Sequence, residues 1–324
     1  MAGFEPKSKN RKMKDFKKLI QNLMPGSVRF NEPMSRHTSF RVGGPADIFV
    51  EPENIESLTQ LMDYVRKTGL EYMVIGRGTN ILVKDSGIRG VVIVLNRLNK
   101  IAKNRETRES VLVTAMAGAG MQAFCRFAIA TGSGGMNFAV GIPGSVGGGI
   151  MMNAGTRKGC IQDVLESVTL LKHTGMPVKI DRQNMKFSYR NLEWSGLRKN
   201  TEKGQPVLLE CLFSLYHADP GRLKAEAHKI LEARNINQPT DQPSAGCFFK
   251  NPELHDKTAG ELIQLAGLKG KRIRGAQISA RHANFIVNTK TASANDILEL
   301  KDFVQETVLK KFNIELKPEV KIVG

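Results

Sequence analysis

Apolar positions along this chain recur with two periods, and the switches between them predict an order of strands and helices. Ala46, Ile48, Phe49 and Val50 make a short apolar run of strand length. Leu58, Leu61, Met62 and Val65 then recur at helical spacing within residues 55–67. Residues 72–75, 81–83 and 91–95 are apolar and rich in β-branched side chains, which suits buried strands. Between them lie Gly76-Arg77-Gly78-Thr79-Asn80 and the turn Asp85-Ser86-Gly87. A second block follows, with strands over 111–117, 164–172 and 207–215 and a helix over 121–130. A third holds helices over 221–233, 259–266 and 292–311 and a strand over 284–287. This order predicts an α/β (α+β) fold in three pieces, 25–100, 101–217 and 218–324. Ahead of them, Met13, Phe16, Leu19, Ile20 and Leu23 predict a short amphipathic helix within an arm of residues 1–24.

Composition narrows the class. Of 324 residues, 41% are hydrophobic and 24% charged, as in a globular protein with a substantial core. No apolar stretch approaches the roughly 20 residues of a membrane span. Cys125, Cys160, Cys211 and Cys247 are widely separated and form no Cys-x-x-Cys pair. That argues against a zinc site or a disulfide framework and suits a reducing cytoplasm. Net charge is +17. Lys7, Lys9, Arg11, Lys12, Lys14, Lys17 and Lys18, against Glu5 and Asp15, give the arm +5 of it. Such an arm either touches nucleic acid or anionic lipid or is a solubilising extension; it lacks the apolar core of a signal peptide. Aromatic content of 6% and the absence of a recognisable binding module argue against a nucleic-acid partner. Charge spread along the remaining chain suits polyanionic small-molecule ligands.

Two glycine-rich loops carry candidate binding chemistry. The run Gly76-Arg77-Gly78-Thr79-Asn80-Ile81 lies between two strand patterns, where glycines let successive N–H groups face one side as a nest for phosphate oxygens. A strained turn without a ligand would read the same way. It is not the Gly-x-Gly-x-x-Gly fingerprint, because no helix opens there. Eight of the eighteen residues from Gly132 to Gly149 are glycine, and they include Gly141, Ile142, Pro143, Gly144, Ser145 and Gly148. A backbone this bare, followed by Asn153-Ala154-Gly155, suits the close approach of something large. One loop after each strand–helix unit suggests one extended ligand across both, and a flavin dinucleotide has the size and charge.

Cys247 lies in Ser244-Ala245-Gly246-Cys247-Phe248-Phe249-Lys250-Asn251-Pro252. The small approach admits a ligand, the phenylalanines pack the turn inward, and the thiol can give up a proton. Taken alone, an unpaired cysteine is also an ordinary small core residue.

These motifs, in this order, resemble the UDP-N-acetylenolpyruvoylglucosamine reductase family over residues 25–324, in its shorter form. The resemblance rests on His37-Thr38-Ser39-Phe40-Arg41-Val42-Gly43-Gly44, the Gly76 loop with Asp85, and the Gly141 loop with Asn153-Ala154-Gly155. It also rests on Phe187-Ser188-Tyr189-Arg190-Asn191, the Cys247 run, His282 to Asn288, and Pro318-Glu319-Val320. Three positions depart from the family: Arg77 where glycine is usual, the stretch Thr156-Arg157-Lys158-Gly159-Cys160, and Cys247 where many members carry serine.

The resemblance implies a two-part FAD-binding α/β module of the vanillyl-alcohol-oxidase type and a C-terminal α/β substrate-binding domain whose end reaches back to the site. It implies noncovalent FAD, held by Arg41, the Gly76 to Ile81 loop, the Gly141 to Ser145 loop, Gly148 and Asn153. It implies NADPH as co-substrate and UDP-N-acetylglucosamine enolpyruvate as substrate, reduced to UDP-N-acetylmuramate for peptidoglycan precursor synthesis. Hydride reaches the terminal vinyl carbon, and the α-carbon becomes enolate-like. By the same resemblance Arg190 binds the carboxylate, Glu319 orients that arginine or polarises the substrate, and Cys247 donates the proton. A thiol of pKa about 8.5 keeps its proton at neutral pH yet yields it more readily than serine. Tyr189, Asn251 and Lys269 match positions that hold substrate, Lys269 suiting the diphosphate. A monomer is the expected state. The alternatives are a flavin oxidase of the vanillyl-alcohol-oxidase type, for which no tethering motif is apparent, and a basic nucleic-acid-binding protein.

Overall fold

The computed structural model describes residues 16–172, 175–194, 205–253 and 255–324. Met13 and most of the basic arm lie outside the described residues. Residues 16–23 form a helix whose Phe16 and Ile20 are fully buried, as the apolar spacing predicts. The chain divides into two compact units. The first holds the described residues up to Glu32, Asp47–Gly76 and Arg89–Ala227. The second holds Pro33–Ala46, Arg77–Ile88 and His228–Gly324.

Two sheets build the first unit. One runs in the order Val28–Pro33, Pro45–Val50, Ile88–Val94, Tyr72–Ile75. Tyr72–Ile75 and Ile88–Val94 pair in parallel, with Tyr72 opposite Val91. A parallel pair needs a crossover, and the intervening chain Arg77–Ile88 belongs to the second unit. Helix Ile55–Thr68 buries Leu58, Leu61, Met62 and Val65, the stripe read from the sequence. A capping box between Asn54 and Ser57 starts it, and left-handed Gly69 ends it. The other sheet is antiparallel, ordered Pro177–Asp181, Leu165–Leu171, Val207–His217, Val111–Met116, Ile101–Glu106. Val111, Val113 and Ala115 face the core on alternate positions. The outer strands Ile101–Glu106 and Pro177–Asp181 carry almost no buried residue, so no apolar period marked them.

The second unit is organised around Phe40, Phe248, Phe249, Leu262, Ile263, Ile297, Leu300, Val304 and Val308. Helix Ala294–Phe312 supplies the last four of these. A small sheet orders Arg272–Ile273, Ala276–Ile278 and Ile286–Asn288. The strand expected over 284–287 forms two residues later, because Asn284 is turned inward to bind backbone at Phe249. The helix expected over 221–233 runs longer, Pro220–Asn237; only Leu223 and Ala227 are buried, so its apolar stripe ends before the helix does. Among the described residues no helix is long and apolar enough to cross a membrane.

Side chains distant in sequence explain why Pro33–Ala46 and Arg77–Ile88 belong here. Asn288, itself buried, donates to the Phe40 carbonyl at 2.9 Å. Ile81–Val83 pairs in parallel with Lys321–Val323. The Asp85 carboxylate accepts the N–H groups of Ala294 and Asn295, both at 3.0 Å. It thus caps the first turn of the long helix from outside its own sequence, beside the Ser293–Asp296 capping box. Asp85→Ala should lower unfolding free energy by about 1–2 kcal/mol in denaturant titration; a change within about 0.5 kcal/mol, typical of an inert surface site, would show the cap is idle.

Candidate active site

In the first unit the two glycine loops meet. A Cβ placed on Gly76 would lie 2.5 Å from the Ser145 hydroxyl oxygen and 3.9 Å from Gly148 Cα. The end of strand Tyr72–Ile75 therefore lies against the start of helix Val146–Met151, and a side chain at Gly76 would have to displace the Ser145 hydroxyl. Ser145 caps that helix, accepting the Gly148 N–H at 3.2 Å. Its three glycines differ in surroundings. A Cβ on Gly147 would press on Ala117 at 2.9 Å, and one on Gly149 would meet the Met121 terminal methyl at 2.3 Å. A Cβ on Gly148 would meet only the Ser145 hydroxyl within 4 Å. Gly147 thus brings the helix onto the end of strand Val111–Met116, Gly149 brings it onto helix Met121–Ala130, and Gly148 is the least crowded of the three. Gln122 braces the loop ahead of it: its Nε2 donates to the Ala139 and Ile142 carbonyls and its Oε1 accepts the Gly141 N–H.

Asn153, buried and at φ 40°, is the hinge between that loop and Arg190. Its side chain is engaged by the Gln162 N–H, the Gln162 side chain and the Ser188 carbonyl. Its own carbonyl accepts Arg190 Nη1 at 3.5 Å, and the Gly155 carbonyl accepts Nη2 at 3.2 Å. Arg190 sits in the two-residue turn of the hairpin Met185–Ser188 / Asn191–Trp194, at φ 55°. A left-handed conformation costs a residue with a Cβ about 1–2 kcal/mol, so the surrounding contacts must impose it. Its guanidinium lies 5.1 Å from the centroid of the Tyr189 ring, which is 42% exposed. Cys160, paired with Gly155 across a short hairpin, donates its thiol hydrogen to Asp163. Burial pushes that thiol up, Asp163 adds to the rise, and Arg190 nearby opposes it.

In the second unit the Cys247 run and the C-terminus are laced together. Phe248 and Phe249 are buried. The Phe248 N–H donates to the Asn284 carbonyl, and the Asn284 side chain closes both hydrogen bonds of the Phe249 backbone, at 2.9 and 2.8 Å. From the other side the Glu319 N–H donates to the Phe248 carbonyl, and the Lys250 N–H to Lys317, both at 2.8 Å. Cys247 and Glu319, 72 positions apart by their numbers, thereby stand on adjacent backbone. The Gly76 loop joins them: Asn80 Nδ2 donates to the Glu319 carbonyl at 3.2 Å, and Lys321 N–H to the Asn80 carbonyl. Gly78, at φ 64°, rests on His37, whose carbonyl would lie 1.9 Å from any Cβ there.

The remaining predicted residues of this unit are more dispersed. Asn251 caps helix Ala259–Leu265 through the Ala259 N–H. Lys269 is exposed, and its charge, after burial, helps draw the His282 imidazole below its ordinary value. Arg41 and Arg77 are exposed, Arg41 at φ 57°, while Thr79 and Ile81 are half-buried. Arg234 was not expected. Burial draws its guanidinium down, and the charge of an ionised Cys247 opposes that. Its place on a helix with almost no buried stripe left no periodic signal.

Residues 46–181 match the model of an FAD-binding domain, and residues 238–323 that of the C-terminal domain of UDP-N-acetylenolpyruvoylglucosamine reductase. A protein of that name from Desulfosudis oleivorans is 41% identical over 310 residues, spanning 95% of this chain and 98% of its own. One from Listeria monocytogenes is 40% identical over 92% of this chain and 95% of its own. The chain belongs to the UDP-N-acetylenolpyruvoylglucosamine reductase family. It is therefore an oxidoreductase with an FAD-binding domain. The solved reductase from Thermus caldophilus has the same fold, with a TM-score of 0.74 and 30% identity over 92% of this chain and 98% of that one.

The residues present fit the flavin dinucleotide such a domain takes. The two glycine loops touch at Gly76 and Ser145, and Gly148 offers an open face beside that contact. Gly148→Val should separate folding from binding. The folded state should keep its stability to within about 1 kcal/mol, since the added atoms meet only the Ser145 hydroxyl and valine is a better helix former than glycine, while FAD affinity drops at least tenfold by fluorescence titration. That is about 1.4 kcal/mol. Unchanged FAD affinity would remove this face from the cofactor site.

Proposed function

We propose that this member of the reductase family converts UDP-N-acetylglucosamine enolpyruvate to UDP-N-acetylmuramate with NADPH, through noncovalently held FAD, in cytoplasmic peptidoglycan precursor synthesis. The observation that supports this most is the lacing of the Cys247 run to Glu319 in a chain that matches family members along nearly its whole length. The chemistry that FAD supplies when bound is a two-electron relay from NADPH to the terminal vinyl carbon. Gly76 to Ile81, Gly141 to Ser145, Gly148, Arg41 and Asn153 would hold it. Arg41 and Arg77 offer cations to a diphosphate.

The protein's own residues then have defined tasks. Arg190 neutralises the carboxylate as charge moves into it, and its planar fork fixes the carboxylate plane. Two of its donors already rest on backbone carbonyls, so it is oriented before substrate arrives. Glu319 stabilises the enolate-like state from a backbone fixed on both sides. Cys247 gives its proton to the α-carbon. The positive charge of Arg234, which interacts with that of an ionised Cys247, favours the thiolate that remains. Tyr189, Asn251 and Lys269 bind the rest of the substrate.

The test separates the two half-reactions. Cys247→Ala should leave NADPH-driven bleaching of the flavin intact, because that step needs no proton at the substrate. Reoxidation by the enolpyruvyl substrate, followed by anaerobic stopped flow, should fall by roughly 10²- to 10⁴-fold, and Cys247→Ser should retain substantial rate. Reoxidation of the Ala variant at the wild-type rate would reduce the thiol to packing.

A further inference from the structure

We infer that Arg182 is a positioning residue for Arg190, a strut that holds the hairpin on which Arg190 is presented. The inference rests on the reading of Arg190 as the group that holds the substrate carboxylate. The hairpin Met185–Ser188 / Asn191–Trp194 forms a two-stranded sheet of its own, outside the large sheet of the first unit. Its attitude therefore depends on side-chain ties, and Arg182 provides three of them. Its Nε donates to the Gln162 carbonyl at 3.2 Å, and its Nη1 to the Met185 carbonyl at 3.3 Å. Its guanidinium covers the Phe187 ring, 4.6 Å from the centroid. Met185 and Phe187 are hairpin residues, whereas Gln162 belongs to the short helical turn Ile161–Asp163.

Gln162 carries the tie onward. Its N–H donates to Asn153 Oδ1 at 3.2 Å, and its Oε1 accepts from Asn153 Nδ2 at 3.3 Å. Asn153 Nδ2 also donates to the Ser188 carbonyl at 3.4 Å, one residue before the turn. The Asn153 carbonyl then receives Arg190 itself. Arg182, Gln162 and Asn153 thus close a ring of contacts around Arg190. Lysine cannot replace Arg182 fully, because one ammonium cannot span both carbonyls while lying flat on a ring. A displacement of about 1 Å in a substrate-orienting group can lower a rate about 10²-fold.

Arg182→Met keeps length and contact with Phe187 but removes both donors. In stopped flow it should slow reoxidation by the enolpyruvyl substrate about 10- to 100-fold, with flavin reduction by NADPH and FAD content unchanged; Arg182→Lys should fall between it and wild type. In the cofactor-free protein, amides of residues 185–194 should exchange hydrogen faster, with those of 207–217 unaffected. Wild-type reoxidation in Arg182→Met would overturn the inference. So would an equal loss in both half-reactions, which marks a general structural role, or a raised KM at unchanged kcat, which marks direct substrate binding. Arg190→Lys in the same assay guards the underlying reading. If it too reoxidises at the wild-type rate, the role of Arg190 fails; if it is crippled while Arg182→Met is normal, only the strut fails. Should Arg182→Met not fold, the Lys variant carries the same comparison.

Discussion

The hydrogen bond from the Glu319 N–H to the Phe248 carbonyl is the constraint on which the proposed chemistry of the second unit depends. It is made by backbone, so neither the Phe248 nor the Glu319 side chain takes part in it. It is also guarded. The Phe248 and Phe249 rings are buried beneath it, and Asn284, itself buried, satisfies the Phe249 backbone from the opposite side. An unpaired buried amide costs about 1–3 kcal/mol. Slipping the C-terminal segment by one residue would therefore break the Phe248 and Asn80 contacts together. The parallel pairing of Lys321–Val323 with Ile81–Val83 continues the same constraint into the strand that follows the first glycine loop.

The first unit solves a related problem with different means. Arg190 occupies a left-handed turn in a hairpin that no large sheet steadies. Its orientation comes from carbonyls at Asn153 and Gly155 and from the amide exchange between Asn153 and Gln162. The loop that suits a flavin and the residue that suits a carboxylate are therefore consecutive parts of one hydrogen-bonded network. Gln122 and Ser145 steady the loop end of it.

Much of this was legible in the sequence wherever burial imposes a period. Leu58, Leu61, Met62 and Val65, or Val111, Val113 and Ala115, declare their elements because one face of each is dry. The edge strand Ile101–Glu106 and the 185–194 hairpin do not, because both their faces are largely wet. The glycine loops and the Cys247 run stood out in the sequence as candidate chemistry, and family resemblance gave them an order. Asn284, Gln122, Gln162 and Arg182 were not legible as supports. Each acts through one or two hydrogen bonds to distant backbone, and a polar residue used that way has the local pattern of a solvated one.

The proposed activity delivers reducing equivalents from NADPH to an enolpyruvyl carbon. The most direct measurement is a single turnover without oxygen. The purified protein is reduced with one equivalent of NADPH, then mixed with UDP-N-acetylglucosamine enolpyruvate while the visible flavin absorbance and the nucleotide product are followed. The colour should return as one UDP-N-acetylmuramate forms per flavin. A flavin that stays bleached until oxygen is admitted would contradict it.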